Sequence, residues 1–380
     1  MNLVLNEEET MIKDAANDFL VENAGPDHLR NLRDDPDSKG FSESLWGQMI
    51  DLGWPSLLVP EEFGGLDFSH VGMGQIMQQV GCHLATSPLL ITGILGVTLL
   101  KSSSSNHWKA KILPLIAEGK TKMAIAIDET SRHDPELIQT KLTPKAGEYV
   151  LNGTKLNVVD GQVADSFIVV AKITSEKPKE PDDICFVIVD SNQKGISVKN
   201  NLLIDSRKTS SLNFSDVRVT DKQILKFNQS SESILQMLLS TANIYLSAEL
   251  LGIAEKAFEL TMQYLKTRSQ FGVKIGSFQA LQHRAANLWA EIELGKSIVL
   301  KALRSLDEID KDINKIASMA KAKTSKIAEN ATNEGIQMHG GIGMTDEFYI
   351  GFYLKRAKVS QMLFGDWKYH LDRAAYLSGY

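Results

Sequence analysis

The last third of the chain most constrains what it can fold into. From Ser233 onward, apolar residues recur every three or four positions through "SILQMLLSTANIYLSAELLGIAEKAFELTMQYLKTR", "SFQALQHRAANLWAEIELGKSIVLKALRSL", "DINKIASMAKAKTSKIAENATNEGIQMHG" and "DEFYIGFYLKRAKVSQMLFGDWKYHLDRAAYL". That spacing lines one face of a helix, and such a face must be buried against another element. Long helices with short connections pack antiparallel, so residues 229–380 are expected to form a four-helix bundle.

The preceding residues divide in two. Residues 1–120 show the same helical spacing, broken at "NAGPDH", "DDPDSKG" and "VPEEFGGLDFS", where Pro and Gly cannot continue a helix. They predict an N-terminal all-α domain. Residues 121–228 change period: "KMAIAI", "EYVLNGTKLNVV", "DSFIVVAKI", "DICFVIVD", "GISVKN" and "SLNFSDVRV" are short, β-branched and separated by turn residues. They predict a middle, barrel-like antiparallel β domain, with Asn152-Gly153 as a hairpin signal. At 380 residues and 42.0 kDa the chain has room for all three regions. The expected class is therefore α+β multidomain. "KSSSSN" at 101–106 reads as a polar interhelical loop, and "TSEKPKEPDD" as a charged loop without assigned function.

Several function classes are disfavoured. A net charge of -6 and a pI near 5.8 provide no broad basic field, so nucleic acid is not an expected partner. Cys82 and Cys185 are far apart and form no CxxC or Cys/His pair, so neither a disulfide framework nor a zinc site is suggested. "MNLVLNEEETMIKD" lacks a basic segment followed by an apolar core, and "SPLLITGILGVTLL" is too short and glycine-broken to span a bilayer. A cytoplasmic protein without membrane association is expected.

Three stretches carry more specific information: "LGWPSLLVPEEFGG", "RSQFGVKIGSFQALQHRAANL" from Arg268, and "QMHGGIGMTDEF" from Gln337. Arg268 and Gln270 offer a guanidinium fork and an amide suited to pyrophosphate oxygens, and Phe271 a flat apolar wall. Gly340 and Gly341 let backbone N–H groups approach an anion with no Cβ in the way. Taken alone, "GGIG" is equally a helix C-cap and interhelical turn. Together, and in the order helices, β domain, bundle, these stretches resemble the acyl-CoA dehydrogenase family over essentially the whole chain.

That resemblance implies α,β-desaturation of an acyl-CoA thioester by an enzyme that uses FAD and passes electrons to an electron-transfer flavoprotein. It also implies that Arg268, Gln270, Phe271, Gln279, Gln337, Gly340 and Gly341 serve the dinucleotide half of FAD, largely for a neighbouring subunit of a homo- or heterotetramer. Departures from the family pattern are equally informative. The usual base, a glutamate before Gly-Thr, falls at Phe364 followed by Gly365 and Asp366, and the alternative base position on the first bundle helix falls at Ala242. The nearest remaining carboxylates are Glu249 and Asp366.

Glu249 shares a helix face with Ala242 and has Tyr245, Leu246, Gly252 and Ile253 as helical neighbours, with no cation among them. It is either the catalytic base or a buried glutamate tied to an arginine on another helix. Asp366 is either a base or a helix N-cap. In the flavin pocket, "IDETSRHDP" stands where the family has Thr-Glu-Pro and Gly-Ser-Asp, and Asn157, Val158 and Val159 stand where it has Trp-Ile-Thr. In that segment His133 and Asp134 read either as polar contacts or as solvated loop residues. Arg207 reads as a substrate-side or interface contact. The aromatic and methionine residues of "YIGFYLKRAKVSQMLF" read as core, and the lysines of "DKDINKIASMAKAKTSKIAEN" as a solvated face. These departures look like the small subunits of heteromeric members, of pimeloyl-CoA or steroid side-chain type. The alternative reading is a catalytically silent partner that completes the FAD site of a related chain.

Overall fold

The computed structural model describes residues 3–174 and 183–380, so most of the charged "TSEKPKEPDD" loop lies outside the described residues. Helices α1 (Glu7–Asn23), α2 (Pro26–Asp34), α3 (Glu43–Asp51), α4 (His70–Cys82), α5 (Val97–Ser102) and α6 (Asn106–Ala117) come first. Their starts follow from side-chain caps. Asn6 and Glu9 form a reciprocal capping box on α1, and the Ser42 and Ser69 hydroxyls accept from Leu45 N–H and Gly72 N–H at the starts of α3 and α4. The apolar run 89–96 is a buried π-helical stretch that continues into α5.

The sheet contains β1 (Met123–Ala126), β2 (Lys141–Lys145), β3 (Glu148–Val159), β4 (Ser166–Ile173), β5 (Asp183–Asp190), β6 (Ile196–Leu202), β7 (Lys208–Val219) and β8 (Ile224–Leu225). Its order is β6-β7-β3-β2-β4-β5-β8, with β1 beside β4. The pairings are antiparallel except those of β1 and β2 with β4. Phe167, Val169, Val187, Leu212 and Phe214 form its buried core.

Asn152-Gly153 is not the expected hairpin turn. The turn lies at Ala146 and Gly147, which carry the positive φ values of 52° and 84°, and β3 runs on through Gly153 with a register shift. A Cβ on Gly153 would sit 2.4 Å from Thr140 Oγ1, so glycine there permits close approach rather than a reversal. The serine-rich stretch at 101–106 also does more than link helices. Ser103 and Ser104 donate from their hydroxyls to the Lys226 carbonyl.

The last third contains α7 (Ser231–Thr267), a hairpin of β9 (Ser269–Gln270) and β10 (Val273–Lys274), α8 (Gln279–Asp307), α9 (Ile313–His339), a tight turn over Gly340–Met344, α10 (Ile350–Met362) and α11 (Trp367–Leu377). The fourth expected bundle helix is thus two helices. Phe364 and Gly365 have φ of 55° and 103°, and Asp366 starts a new helix, so one continuous helix cannot pass through this segment. Among the described residues α7 alone is long and apolar enough to cross a membrane, with a mean hydropathy of 1.4, yet 94% of that window is buried within the protein.

The chain forms two compact units that interleave in sequence. One comprises the residues up to Asp35, Ser69–Thr86 and Ser240–Tyr380; the other comprises Pro36–Phe68 and Ser87–Leu239. In the first, α4 and α7 touch through glycines. A Cβ on Gly252 would lie 1.9 Å from the Gln78 carbonyl, and one on Gly81 2.0 Å from the Glu249 carbonyl. Gly252→Ala forces this contact apart, and overpacking of this kind costs about 1–3 kcal/mol. A lower urea midpoint is the expected result; an unchanged midpoint would show that the two helices separate freely.

Candidate active site

One end of the bundle gathers the residues expected to meet a dinucleotide. α7 and α9 approach closely there: Gly335 on α9 would place a Cβ 3.1 Å from the Thr261 hydroxyl on α7. Further along the same pair, the rings of Tyr264 and His339 lie 4.4 Å apart. The β9–β10 hairpin begins a few residues after Tyr264, and the glycine turn begins directly after His339, so the two segments leave the bundle side by side. Ile275 N–H donates to the Arg268 carbonyl and closes the hairpin.

Arg268, Gln270, Phe271, Gln279, Gln337, Gly340 and Gly341 are all exposed. Phe271 is 91% exposed at a φ of 55°, and no atom lies within 4 Å of where a Cβ would sit on Gly340 or Gly341. Gly340 caps α9, its N–H donating to the Gln337 carbonyl. An exposed arginine near a turn that has no Cβ in the way fits an anionic diphosphate. The loop beyond the turn is held by α2. Arg33 pairs with the Asp346 carboxylate at 2.5 Å, and Arg30 lies over the Tyr349 and Phe352 rings. The hydrogen bond from Arg33 holds the Asp346 carboxyl below the usual carboxylate range.

The two family positions for a base are also brought together. Asn243, beside Ala242, donates from its side-chain amide to the Phe364 carbonyl at 3.3 Å, and the His370 imidazole Nε2 lies 2.9 Å from the same oxygen. Lys321 is not part of a solvated face: fully buried, its ammonium donates to the Ser360 and Leu363 carbonyls. This turn is therefore firmly pinned, with an aromatic side chain at 364.

Glu249 and Asp366 both hold structural partners. Glu249 is 1% exposed; its Oε1 accepts from the Ser360 hydroxyl at 3.0 Å and faces Arg356 Nη1 at 3.4 Å. Arg356 also donates to the carbonyls of Ala85 and Leu84. Arg356 is the cation that Glu249 lacks on its own helix. Asp366 accepts from the backbone N–H groups of Lys368 and Tyr369 and caps α11. Tyr353 and Phe352 on α10 are buried, as expected for core, whereas Met362 is exposed.

In the sheet unit, the segment at the family's flavin-wall positions is internally satisfied. Glu129 receives Lys155 Nζ at 2.7 Å and the backbone N–H groups of Gln139 and Thr140, while Lys155 also donates to the Ile127 carbonyl. His133 is not a solvated loop residue: its ring is nearly buried, 2.8 Å from Asp128. Val158 is in the sheet core, and Asn157 has a φ of 54°. Arg207 pairs with buried Asp205 at 2.6 Å. Positions 157–159 thus offer neither an aromatic wall nor a hydroxyl, so the residues present fit the dinucleotide half of FAD better than its ring.

Comparisons with known proteins agree with this architecture. The profiles described as the N-terminal, middle and C-terminal domains of acyl-CoA dehydrogenase match residues 6–120, 124–217 and 233–376. The chain belongs to the acyl-CoA dehydrogenase family. A probable acyl-CoA dehydrogenase, YngJ of Bacillus subtilis, is 28% identical over 95% of both chains. The mitochondrial short/branched chain specific acyl-CoA dehydrogenase of Bos taurus is 27% identical over 97% of this chain and 85% of its own. The structure of butyryl-CoA dehydrogenase from Megasphaera elsdenii superposes with a TM-score of 0.89 at 25% identity, covering 99% of each chain.

Two outcomes follow from the buried pairs. Arg356→Met leaves Glu249 buried beside Ser360 without its cation and should cost about 3–5 kcal/mol by chemical denaturation. Adding Glu249→Leu should recover much of the loss; no recovery would mean the arginine acts through packing. Burial raises the Glu129 carboxyl, but Lys155 and the two amides outweigh it and hold the group below its ordinary value. Its stabilisation is therefore present above the ordinary glutamate range and lost as pH falls through the depressed folded value. Melting temperatures across an acid series should drop more steeply for the native protein than for Glu129→Gln.

Proposed function

We propose that the chain is a subunit of an FAD-dependent acyl-CoA dehydrogenase that introduces a double bond between the α and β carbons of an acyl-CoA thioester. The observation that carries this reading is the bundle end where Arg268, Gln270, Phe271 and Gln337 stand exposed near a glycine turn, with nothing within 4 Å of a Cβ position on Gly340 or Gly341. These groups would hold the cofactor's diphosphate, with Gln279 at the adjoining start of α8. Bound FAD supplies the acceptor for the β-hydrogen. The protein aligns the thioester, excludes water and takes the α-proton on a carboxylate. An electron-transfer flavoprotein is the proposed acceptor, a tetramer the proposed assembly and the cytoplasm the proposed compartment.

A second reading has specific support. Ala242 and Phe364 fill both family base positions, and Glu249 and Asp366 act as base only by giving up Arg356 and Ser360 or the α11 amides. A related chain that supplies the base and the flavin-ring seat would leave this one as the partner that completes the diphosphate site.

Arg268→Ala removes charge-assisted hydrogen bonds worth about 1.5–3 kcal/mol, so bound flavin should fall at least roughly tenfold with the fold intact. Undiminished flavin in that variant contradicts the site. Glu249→Gln, assayed with an acyl-CoA and an artificial electron acceptor, separates the two readings. Lost turnover with flavin retained supports Glu249 as the base; full turnover removes it, and full turnover in Asp366→Asn as well assigns the proton to another chain.

A further inference from the structure

His339 sits inside the glycine motif, yet neither the chemistry of the motif nor its spacing gives the imidazole a task. Its surroundings do. The residue is 3% exposed, and its ring centroid lies 4.4 Å from those of both Tyr264 and Phe348, which are themselves 6.2 Å apart, so the three rings form one cluster. Nδ1 is 2.6 Å from the Gly335 carbonyl, which can only accept, so Nδ1 carries the proton. Nε2 is buried with no hydrogen-bond partner among the described residues. A buried ring nitrogen left unpaired carries a desolvation cost, which stacking and the Nδ1 bond must outweigh. Burial also lowers the pKa of this imidazole, which keeps it uncharged between its aromatic neighbours.

The topology turns this packing into a clasp. Residues 340–347 leave the bundle after His339 and return at Phe348, so the His339–Phe348 contact closes the loop at its base. The Tyr264–His339 contact joins that base to the root of the Arg268 hairpin. Gly335, whose carbonyl accepts the Nδ1–H hydrogen bond, is where a Cβ would meet Ile350 at 2.8 Å and Thr261 at 3.1 Å, so the bond lands where α7, α9 and α10 approach closely.

We propose that His339 is a positioning residue for the cofactor: packed against both Tyr264 and Phe348 in a three-ring cluster, it fixes the spacing between the glycine loop and the Arg268 hairpin so that both address one diphosphate. This rests on the reading of that bundle end as the FAD-diphosphate site. Preorganising two anion-binding segments removes the ordering cost that flexible segments would meet on binding.

The test uses the purified protein in its native assembly. Amide hydrogen exchange after flavin removal reads the clasp, and FAD affinity reads its consequence. His339→Ala should exchange about tenfold faster in both 264–278 and 335–348, with the sheet unchanged, and should bind FAD roughly 10- to 100-fold more weakly. His339→Phe keeps an aromatic stack and should stay within about threefold of native affinity. Tyr264→Leu, which breaks the stack from the hairpin side, should loosen 335–348 as well. Loosening of only one segment, a uniform rise throughout the bundle, or equal losses for the Phe and Ala variants would overturn the proposal. The cofactor reading fails separately: Arg268→Ala with native FAD affinity would remove it whatever the exchange pattern shows.

Discussion

A 37-residue helix whose apolar window is almost wholly buried has little freedom in how it treats polar side chains, and α7 sets the terms for the bundle. Each polar group in that buried window must find a partner inside the protein or carry a desolvation cost of several kcal/mol. Tyr245 meets His70, Asn243 meets the Phe364 carbonyl, and Glu249 meets Arg356 and Ser360. Closeness is obtained by omitting side chains: Gly252 and Gly81 let α4 and α7 approach backbone to backbone. The same demands fix the break between α10 and α11. The Phe364 carbonyl is held from α7 and α11, and Asp366 caps the helix that follows.

The chemistry divides along these lines. Around Glu249 and Asp366 the side chains are paired with the fold itself. Where the bundle opens, at the far ends of α7 and α9, the side chains are exposed and the backbone is bare. An arginine in solvent without an ion partner is cheap to keep and strong when an anion arrives. Gly340, at a φ of 64°, caps α9 with its N–H on the Gln337 carbonyl, and the space around Gly340 and Gly341 leaves room for a ligand. The contrast is the basis for proposing diphosphate contacts at the open end while Glu249 and Asp366 hold structural partners.

Legibility of the sequence followed the range of the interaction. Period alone revealed the long helices and most strands, because amphipathic faces are local patterns. It could not reveal that α3, α5 and α6 group with the sheet while α1, α2 and α4 group with the bundle, since that depends on contacts between distant segments. It read Asn152-Gly153 as a turn, although tertiary approach of Thr140 had claimed the glycine for a bulge. Ala146-Gly147 carried the hairpin without a stronger signal. At the candidate site, "RSQFG" and "HGGIG" stood out because their glycines interrupt long helical patterns. The cation for Glu249 was not, because Arg356 is more than 100 residues away. Buried Lys321 and stacked His339 were hidden for the same reason.

The central claim is that one end of this bundle receives a flavin dinucleotide by its diphosphate. A structure of the assembled protein with FAD tests it most directly. The account predicts diphosphate oxygens within hydrogen-bonding distance of the Arg268 guanidinium and of the Gly341 amide, with the hairpin and glycine loop still joined through the Tyr264–His339–Phe348 cluster. Bound FAD whose diphosphate lies elsewhere, with those two segments facing only solvent or protein, would contradict it.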